Sequence, residues 1–190
     1  MKRLLSITFL SLLLSSCALI SINGSFQGLY GYYEKANKQC PALFVHTGNS
    51  LEYCNTKPED STKIIIRNGT ELKKCIEGFD KVVVYLWSPK CKGKFCPALD
   101  LLQKRCDEKN IALFIVAEYY DAKLMQKKYH INRFITGIDT KYYRTNRTSK
   151  YLLHFIDDLT GKSKTPTNNN RILYFEKGMI VKAVKSMDEI

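Results

Sequence analysis

Two cysteines, Cys91 and Cys96, follow an apolar run that ends at Trp87, and four residues separate them. The first cysteine stands among Lys90, Lys92 and Lys94. Nearby positive charge favours the thiolate, and the thiolate is the form of cysteine that attacks a disulfide. The pair could therefore exchange disulfides with other proteins, or it could be a structural bridge. The residues alone leave both alternatives open.

The elements expected on either side of the pair are a buried strand and a helix. Residues 82–87 form an unbroken apolar run rich in β-branched side chains, which is typical of an interior strand. A helix is predicted over residues 95–109, with Pro97 in its first turn, where a missing N–H costs nothing. We expect Cys91, which lies in the loop, to be more exposed than Cys96 and therefore to be the nucleophile.

The rest of the chain alternates strands with helices. Further strands are predicted at 63–66, 111–117, 134–138, 172–175 and 180–184. Helices are predicted at 71–76, where Thr70 is the expected cap, at 123–129 and at 151–159, with a loop at 163–170. This alternation predicts an α/β domain with parallel strands, closed by an antiparallel hairpin that turns at Lys177 and Gly178.

Residues 63–184 resemble the thioredoxin-like superfamily, and most closely its exported, membrane-tethered branch, which includes the TlpA/ResA-type thiol–disulfide oxidoreductases. The resemblance rests on the strand ending in Trp87, on Cys91 soon after it, on a helix that opens at Cys96 with Pro97, and on the closing hairpin. It implies a thioredoxin-like sheet with flanking helices. It also implies that Cys91 attacks, that Cys96 resolves, and that a cis-proline lies opposite them, for which Pro166 is the candidate.

Two functions follow from this resemblance. The first is a membrane-anchored thiol–disulfide oxidoreductase that acts on exported thiol-containing proteins of the cell envelope. The alternative is a non-catalytic thioredoxin-fold module for binding or assembly, in which the Cys91–Cys96 pair is structural. The position of the pair and its lysines favour the first function. The four-residue spacing, where the family has two residues, and the distance of Pro166 from the next strand favour the second.

The N-terminus predicts export and a lipid anchor. A basic start and an apolar run over residues 4–14 are typical of a signal peptide, and the run is shorter than the roughly 20 residues that span a bilayer. The string Leu14-Ser15-Ser16-Cys17 resembles the lipobox of bacterial lipoproteins, which implies cleavage after residue 16 and a lipid on Cys17. Residues 17–36 are then expected to be a tether.

An N-terminal extension is expected over residues 37–62, before a thioredoxin-like domain over 63–190. Alternating apolar residues on either side of a turn at 47–50 predict a hairpin, flanked by Cys40 and Cys54 as candidates for a structural disulfide. Cys75 and Cys106 fall on apolar helix faces. They are expected to be buried structural residues, which could also pair with each other.

The formal net charge of +12 is explained most simply by a solvated basic surface, and the alternative is attraction to anionic lipid or acidic partners. Nucleic acid is not an expected partner, because no binding motif accompanies the charge. We expect no metal and no cofactor, because none of the histidines has metal-ligand spacing. Ala18 and Leu19 after the lipid-bearing cysteine favour a lipid-anchored protein of the cell envelope that faces the periplasm, with the outer membrane favoured over the inner one.

Overall fold

The computed structural model describes residues 28–47, 51–58, 62–91, 96–162 and 170–190. The strands are β1 (Phe44–His46), β2 (Ile64–Arg67), β3 (Lys81–Trp87), β4 (Ala112–Ala117), β5 (Ile135–Ile138), β6 (Ile172–Glu176) and β7 (Met179–Val184). They form one mixed sheet in the order β1-β2-β5-β4-β3-β6-β7. Strands β1 to β5 are parallel to their neighbours among themselves, and β6 is antiparallel to both β3 and β7.

Helices cover both faces of this sheet. They are α1 (Tyr33–Gln39), α2 (Gly69–Ile76), α3 (Leu99–Glu108), α4 (Ala122–Met125) and α5 (Thr148–Thr160). Helices α1, α3 and α4 bury their apolar side chains in one core cluster, and α2 and α5 bury theirs in the other, on the opposite face. The predicted α/β class, with parallel strands, flanking helices and an antiparallel closing hairpin, is confirmed.

Strand β3 lies inside the sheet, between β4 and β6. Val82, Val84 and Leu86 point into the α2–α5 core, whereas Val83, Tyr85 and Trp87 point into the core beneath α1, α3 and α4. A strand that is covered on both faces needs apolar residues at every position. The unbroken apolar run is therefore explained, and the predicted interior position of this strand is confirmed.

The closing hairpin turns at Lys177 and Gly178, whose φ angles are 48° and 76°. Two central residues with positive φ are the signature of the turn that matches the twist of antiparallel strands, and glycine adopts this conformation without steric cost. The turn also contacts the segment that leads into β3, because the Lys177 amide donates to the Asp80 carbonyl oxygen at 2.8 Å.

All four predicted helices have wrong boundaries, and α5 covers Thr148–Thr160 rather than 151–159. Helix α2 begins at Gly69 rather than residue 71, because Asn68, not Thr70, is the cap and forms reciprocal bonds with Glu71. Helix α3 begins at Leu99 rather than residue 95, since a residue before a proline avoids helical geometry and Pro97 follows Cys96. Helix α4 covers Ala122–Met125 rather than 123–129.

The expected tether does not extend to residue 36. Tyr30 forms a bridge to Arg147, and α1 packs against the domain with Tyr33 and Ala36 buried. The ring of Tyr33 lies 5.0 Å from that of Tyr120, measured between centroids. This packing buries aromatic surface that a tether would expose to water. Only residues 17–27 are left for a tether, and they lie outside the described residues.

The hairpin expected around residues 47–50 is also wrong. Strand β1 pairs in parallel with β2, with Val45 opposite Ile65, and Leu51 and Tyr53 lie in turns rather than on a second strand. Pairing with β2 places Phe44 in the core. An isolated hairpin would leave that ring in water.

Within the part of the chain that the structure describes, none of the helices combines the length and the apolar character needed to cross a bilayer.

Candidate functional site

Cys91 and Cys96 are joined by a disulfide, with their Cα atoms 6.0 Å apart. Cys91 sits in the turn that follows β3, where its amide donates to the Ser88 carbonyl oxygen at 3.0 Å. Cys91 is exposed and Cys96 is partly buried. Cys91 is therefore the more exposed residue of the pair. Residues 92–95 lie outside the described residues.

The segment that follows β4 supports this turn. The Glu118 amide donates to the Trp87 carbonyl oxygen at 2.8 Å, which extends the β3–β4 pairing by one bond. The Lys90 amide donates to the hydroxyl of Tyr119 at 3.0 Å. Two neighbouring parallel strands thus end side by side, and the disulfide lies at their carboxyl end, where open α/β sheets place their sites.

Neither sulfur lies at a helix N-terminus. Cys96 precedes Leu99, the first residue of α3, by three positions, and Pro97 between them has no N–H to offer. The Lys90 ammonium forms an ion pair with Asp121 at 3.1 Å, so part of its charge is already neutralised. Lys92 and Lys94 lie outside the described residues. Among the described residues, the aid to thiolate formation next to Cys91 is therefore the partly neutralised charge of Lys90 and not a helix dipole.

A largely buried ion pair lies next to this turn, and the sequence did not lead us to predict it. The side chain of Glu118 is only 12% exposed and lies 3.2 Å from the Arg171 guanidinium. Burial raises the pKa of the Glu118 carboxyl above its ordinary value, and Arg171 together with a hydrogen bond from Ser88 offsets this only in part. The sequence offered one signal of this pair: an acidic residue stands directly after one buried strand, and an arginine stands directly before another.

Tyr85 adds a buried hydroxyl close to this pair. Burial raises the pKa of the Tyr85 phenol, and the nearby Arg171 charge opposes the change. Among the described residues, neither the Tyr85 hydroxyl nor Nη1 of Arg171 has a hydrogen-bond partner of normal length. The main chain fixes the arginine, because the Leu86 amide donates to its carbonyl oxygen at 2.8 Å.

The predicted Cys40–Cys54 disulfide is wrong. Cys54 bonds instead to Cys75 of α2, with a Cα–Cα distance of 5.3 Å, and both residues are buried in the α2–α5 core. Cys40 is free, lies beside the opposite core at the end of α1, and accepts a hydrogen bond from the Gln126 side chain at 2.6 Å. Cys40 and Cys54 lie on opposite faces of the sheet, so the sheet separates them.

The same separation excludes the alternative pairing of Cys75 with Cys106. Cys106 lies on the inner side of α3, in the core opposite Cys75, and its side chain is fully buried. Burial raises the pKa of the Cys106 thiol to about 12, so it stays protonated at neutral pH. The predicted burial of both residues is confirmed, and Cys75 has a structural role in the disulfide with Cys54.

Two predicted site residues, Cys17 and Pro166, lie outside the described residues. Among the described residues, no group of three or more histidine, cysteine, aspartate or glutamate side chains is arranged to hold a metal ion. His46 accepts or donates a hydrogen bond with the Tyr33 hydroxyl at 2.7 Å, and Nδ1 of His130 lies 3.3 Å from a carboxylate oxygen of Asp100.

Comparison of the sequence with protein-family models, with curated proteins and with solved structures finds no match.

Proposed function

We propose that the chain is an exported, lipid-anchored thioredoxin-like protein that exchanges disulfides with thiol-containing proteins of the bacterial cell envelope. One observation carries the proposal. An exposed cysteine, Cys91, is disulfide-bonded to Cys96 at the carboxyl end of interior strand β3. The second cysteine is followed within three residues by α3. This order of strand, disulfide and helix supports the thioredoxin-like interpretation, as does the β6–β7 hairpin that closes the sheet.

The exchange proceeds in two steps. A client thiolate attacks Sγ of Cys91, the Cys91–Cys96 bond breaks, and Cys96 leaves as a thiolate that takes up a proton. A second client thiolate then attacks the client sulfur of the mixed disulfide and releases Cys91 as a thiolate. The client loses two electrons and the Cys91–Cys96 pair gains them. The reverse sequence, which starts from the Cys91 thiolate, reduces a client disulfide.

The non-catalytic alternative, a tethered module for binding or assembly, also has a specific observation in its favour. Cys96 lies three positions before α3, so no helix dipole stabilises either thiolate. In that case the bond closes the turn after β3 and takes part in no exchange. The reduction potential separates the two functions, because structural disulfides lie below roughly −300 mV and exchange-active ones lie higher.

A trapping experiment tests the proposal. In a Cys96→Ser variant, Cys91 has no intramolecular partner, so a mixed disulfide with an exported client cannot be resolved and should accumulate. The control is the Cys91→Ser/Cys96→Ser double variant. It retains the free Cys40 and therefore reports adducts formed through that thiol.

We expect trapped adducts in the single variant and their loss in the double variant, as resolved on a non-reducing gel and identified by mass spectrometry. Equal adducts in both variants would assign the chemistry to Cys40. No adducts, together with a wild-type potential below roughly −300 mV, would make the disulfide structural and the protein a binding module.

A further inference from the structure

A cleft of about 520 Å³ opens beside the disulfide, between α1 and the segment that follows β4. Its walls include the side chains of three lysines, the rings of two tyrosines and one carboxylate, namely Lys35, Lys90, Lys123, Tyr32, Tyr119 and Asp121. The cleft combines positive charge with aromatic surface, and a single acidic side chain lies among its lysines.

Both carboxylate oxygens of that acidic side chain, Asp121, already have partners. One oxygen of Asp121 caps α4 by accepting the Leu124 amide at 3.0 Å, and the other lies 3.1 Å from the Lys90 ammonium. Lys35 and Lys123 are exposed, and neither forms an ion pair with another described residue. The described walls of the cleft therefore keep a positive charge that no carboxylate of the described residues neutralises.

The cleft is held in place by packing on both sides. On one side, Tyr33 and Ala36 fix α1 to the core, which presents Lys35 to the cleft. On the other side, the Tyr119 hydroxyl accepts the Lys90 amide, and the Tyr119 ring lies against Gly28. The walls are therefore a packed helix and a hydrogen-bonded loop, which reduces the cost of ordering them when a ligand binds.

The cleft is adjacent to the reactive sulfur. Lys90 lines it, and Cys91 is the next residue, so their Cα atoms are about 3.8 Å apart. A ligand that contacts Lys90 in the cleft therefore lies one residue away from the disulfide. This adjacency makes a client protein a better occupant than a separate small molecule.

We propose that this cleft binds an acidic segment of the protein that exchanges its disulfide with Cys91. The inference rests on the proposed function and adds to it the chemical class of the client: a cysteine flanked by aspartate or glutamate residues. Lysines attract the carboxylates, and the tyrosine rings accommodate the neighbouring side chains. The chain's own N-terminal segment is a poor occupant, because Glu34 is its first acidic residue.

The test compares two peptides that carry one cysteine each and differ only in having acidic residues or their amides beside it. With the oxidised full-length protein, we expect the acidic peptide to open the Cys91–Cys96 bond about tenfold faster at low salt. Charge reversal in the Lys35→Glu/Lys123→Glu variant should remove this preference, and raising the salt concentration should shrink it in the wild type.

A matched control has the same charge change on the other face of the sheet. Lys74 of α2 and Lys150 of α5 are both exposed, and the Lys74→Glu/Lys150→Glu variant should keep the preference. Equal rates for the two peptides in the wild type, or equal loss in the two variants, would overturn the cleft assignment. If glutathione still opens the bond in that case, the proposed function stands.

A binding measurement separates the two proposals in the other direction. The Cys91→Ser/Cys96→Ser variant cannot exchange, yet it should bind a cysteine-free acidic peptide in fluorescence anisotropy, and the Lys35→Glu/Lys123→Glu substitutions should abolish that binding. Binding without any exchange in the wild type would support the cleft and reject the oxidoreductase. Lysine-dependent binding of phosphatidylglycerol vesicles, without peptide binding, would overturn the proposal in favour of a lipid surface.

Discussion

Cys91 and Cys106 show how environment decides the chemistry of one side-chain type. Cys106 is fully buried, and a pKa of about 12 keeps its thiol protonated. Cys91 is exposed, lies in a turn next to Lys90, and is disulfide-bonded to Cys96. The difference arises because Cys106 faces the core from within α3, whereas Cys91 lies in the turn that follows β3.

The Glu118–Arg171 pair gives a pH-dependent prediction. Replacing Arg171 by methionine leaves the Glu118 carboxylate nearly buried without its cation, which raises its already elevated pKa further. We expect a loss of about 2 kcal/mol of unfolding free energy at pH 7, between the values typical of exposed and of fully buried pairs.

The sign of the pH dependence follows from linkage. A carboxyl group with a folded-state pKa above its unfolded value favours folding at low pH, and this stability is lost as the pH rises through the folded-state value. Denaturant titrations should therefore show a smaller difference between Arg171→Met and wild type at pH 4 than at pH 7. A difference independent of pH would contradict the prediction, and adding Glu118→Gln to the variant should remove the dependence.

Helices α2 and α5 pack so closely that one residue of α2 must be glycine. A Cβ on Gly69 would lie 2.2 Å from the Phe155 carbonyl oxygen and 2.9 Å from the Leu159 nitrogen. Both are main-chain atoms, so no side chain can rotate away. The Gly69 amide also donates to the Tyr143 hydroxyl at 2.8 Å, which fixes the start of the helix against the neighbouring segment.

Gly69→Ala should therefore lower the unfolding free energy by about 3 kcal/mol, at the upper end of the range for overpacking. Gly78→Ala is the matched control. The nearest atom to its added methyl is the Cys75 carbonyl oxygen at 3.6 Å, an ordinary contact. Its effect should stay within about 0.5 kcal/mol, as for other surface changes. Equal effects of the two substitutions in denaturant unfolding would refute the close-packing argument.

The two disulfides connect different elements and should open in a fixed order. Cys54–Cys75 joins the 51–58 segment to α2 across 21 positions, and both sulfurs are buried. Cys91–Cys96 closes a turn of 5 positions and has an exposed member. A thiol reductant needs access to sulfur, so burial protects the first bond.

Under native conditions, increasing dithiothreitol should open Cys91–Cys96 well before Cys54–Cys75. Alkylation followed by mass spectrometry reports which cysteines have become free. The denatured protein is the control, since both bonds should then open together. Earlier labelling of Cys54 and Cys75 in the native protein would contradict the assignment of one accessible and one structural bond.

At the scale of the whole molecule, the features that were predicted correctly are those that a local pattern of residue types determines. The unbroken apolar run of β3 and the glycine turn before β7 were sufficient to place an interior strand and an antiparallel hairpin. What failed depended on tertiary contact. Cys54 pairs with Cys75 because α2 packs on that face of the sheet, and residues 33–39 form a helix because Tyr33 packs on Tyr120. No spacing of residues within the sequence indicates these contacts.

The disulfide was predicted as a pair, but its surroundings were not. Cys91 and Cys96 stand five positions apart, so proximity in sequence implied proximity in space. Glu118 and Arg171 reach the same edge from strands that are far apart in the chain, and only the sheet order brings them together. The cleft beside Lys90 likewise needs α1, whose first four residues fall in the predicted tether and whose last three fall in the predicted N-terminal extension.

We predict that a lipid on Cys17 attaches the protein to the membrane. The sequence Leu14-Ser15-Ser16-Cys17 after an apolar run motivates the expectation that Cys17 is the acylated first residue of the mature protein. Each buried methylene contributes roughly 0.8 kcal/mol, and a second or third acyl chain makes the anchorage stable. Mass spectrometry should find an acylated Cys17 peptide, and the protein should fractionate with membranes until detergent is added. A Cys17→Ser variant should lose both properties, whereas Cys40→Ser, which removes a free thiol of the folded domain, should keep them. A mature protein that begins at another residue and carries an unmodified Cys17 would refute the anchor, and the client would then have to meet Cys91 in solution rather than at the membrane surface.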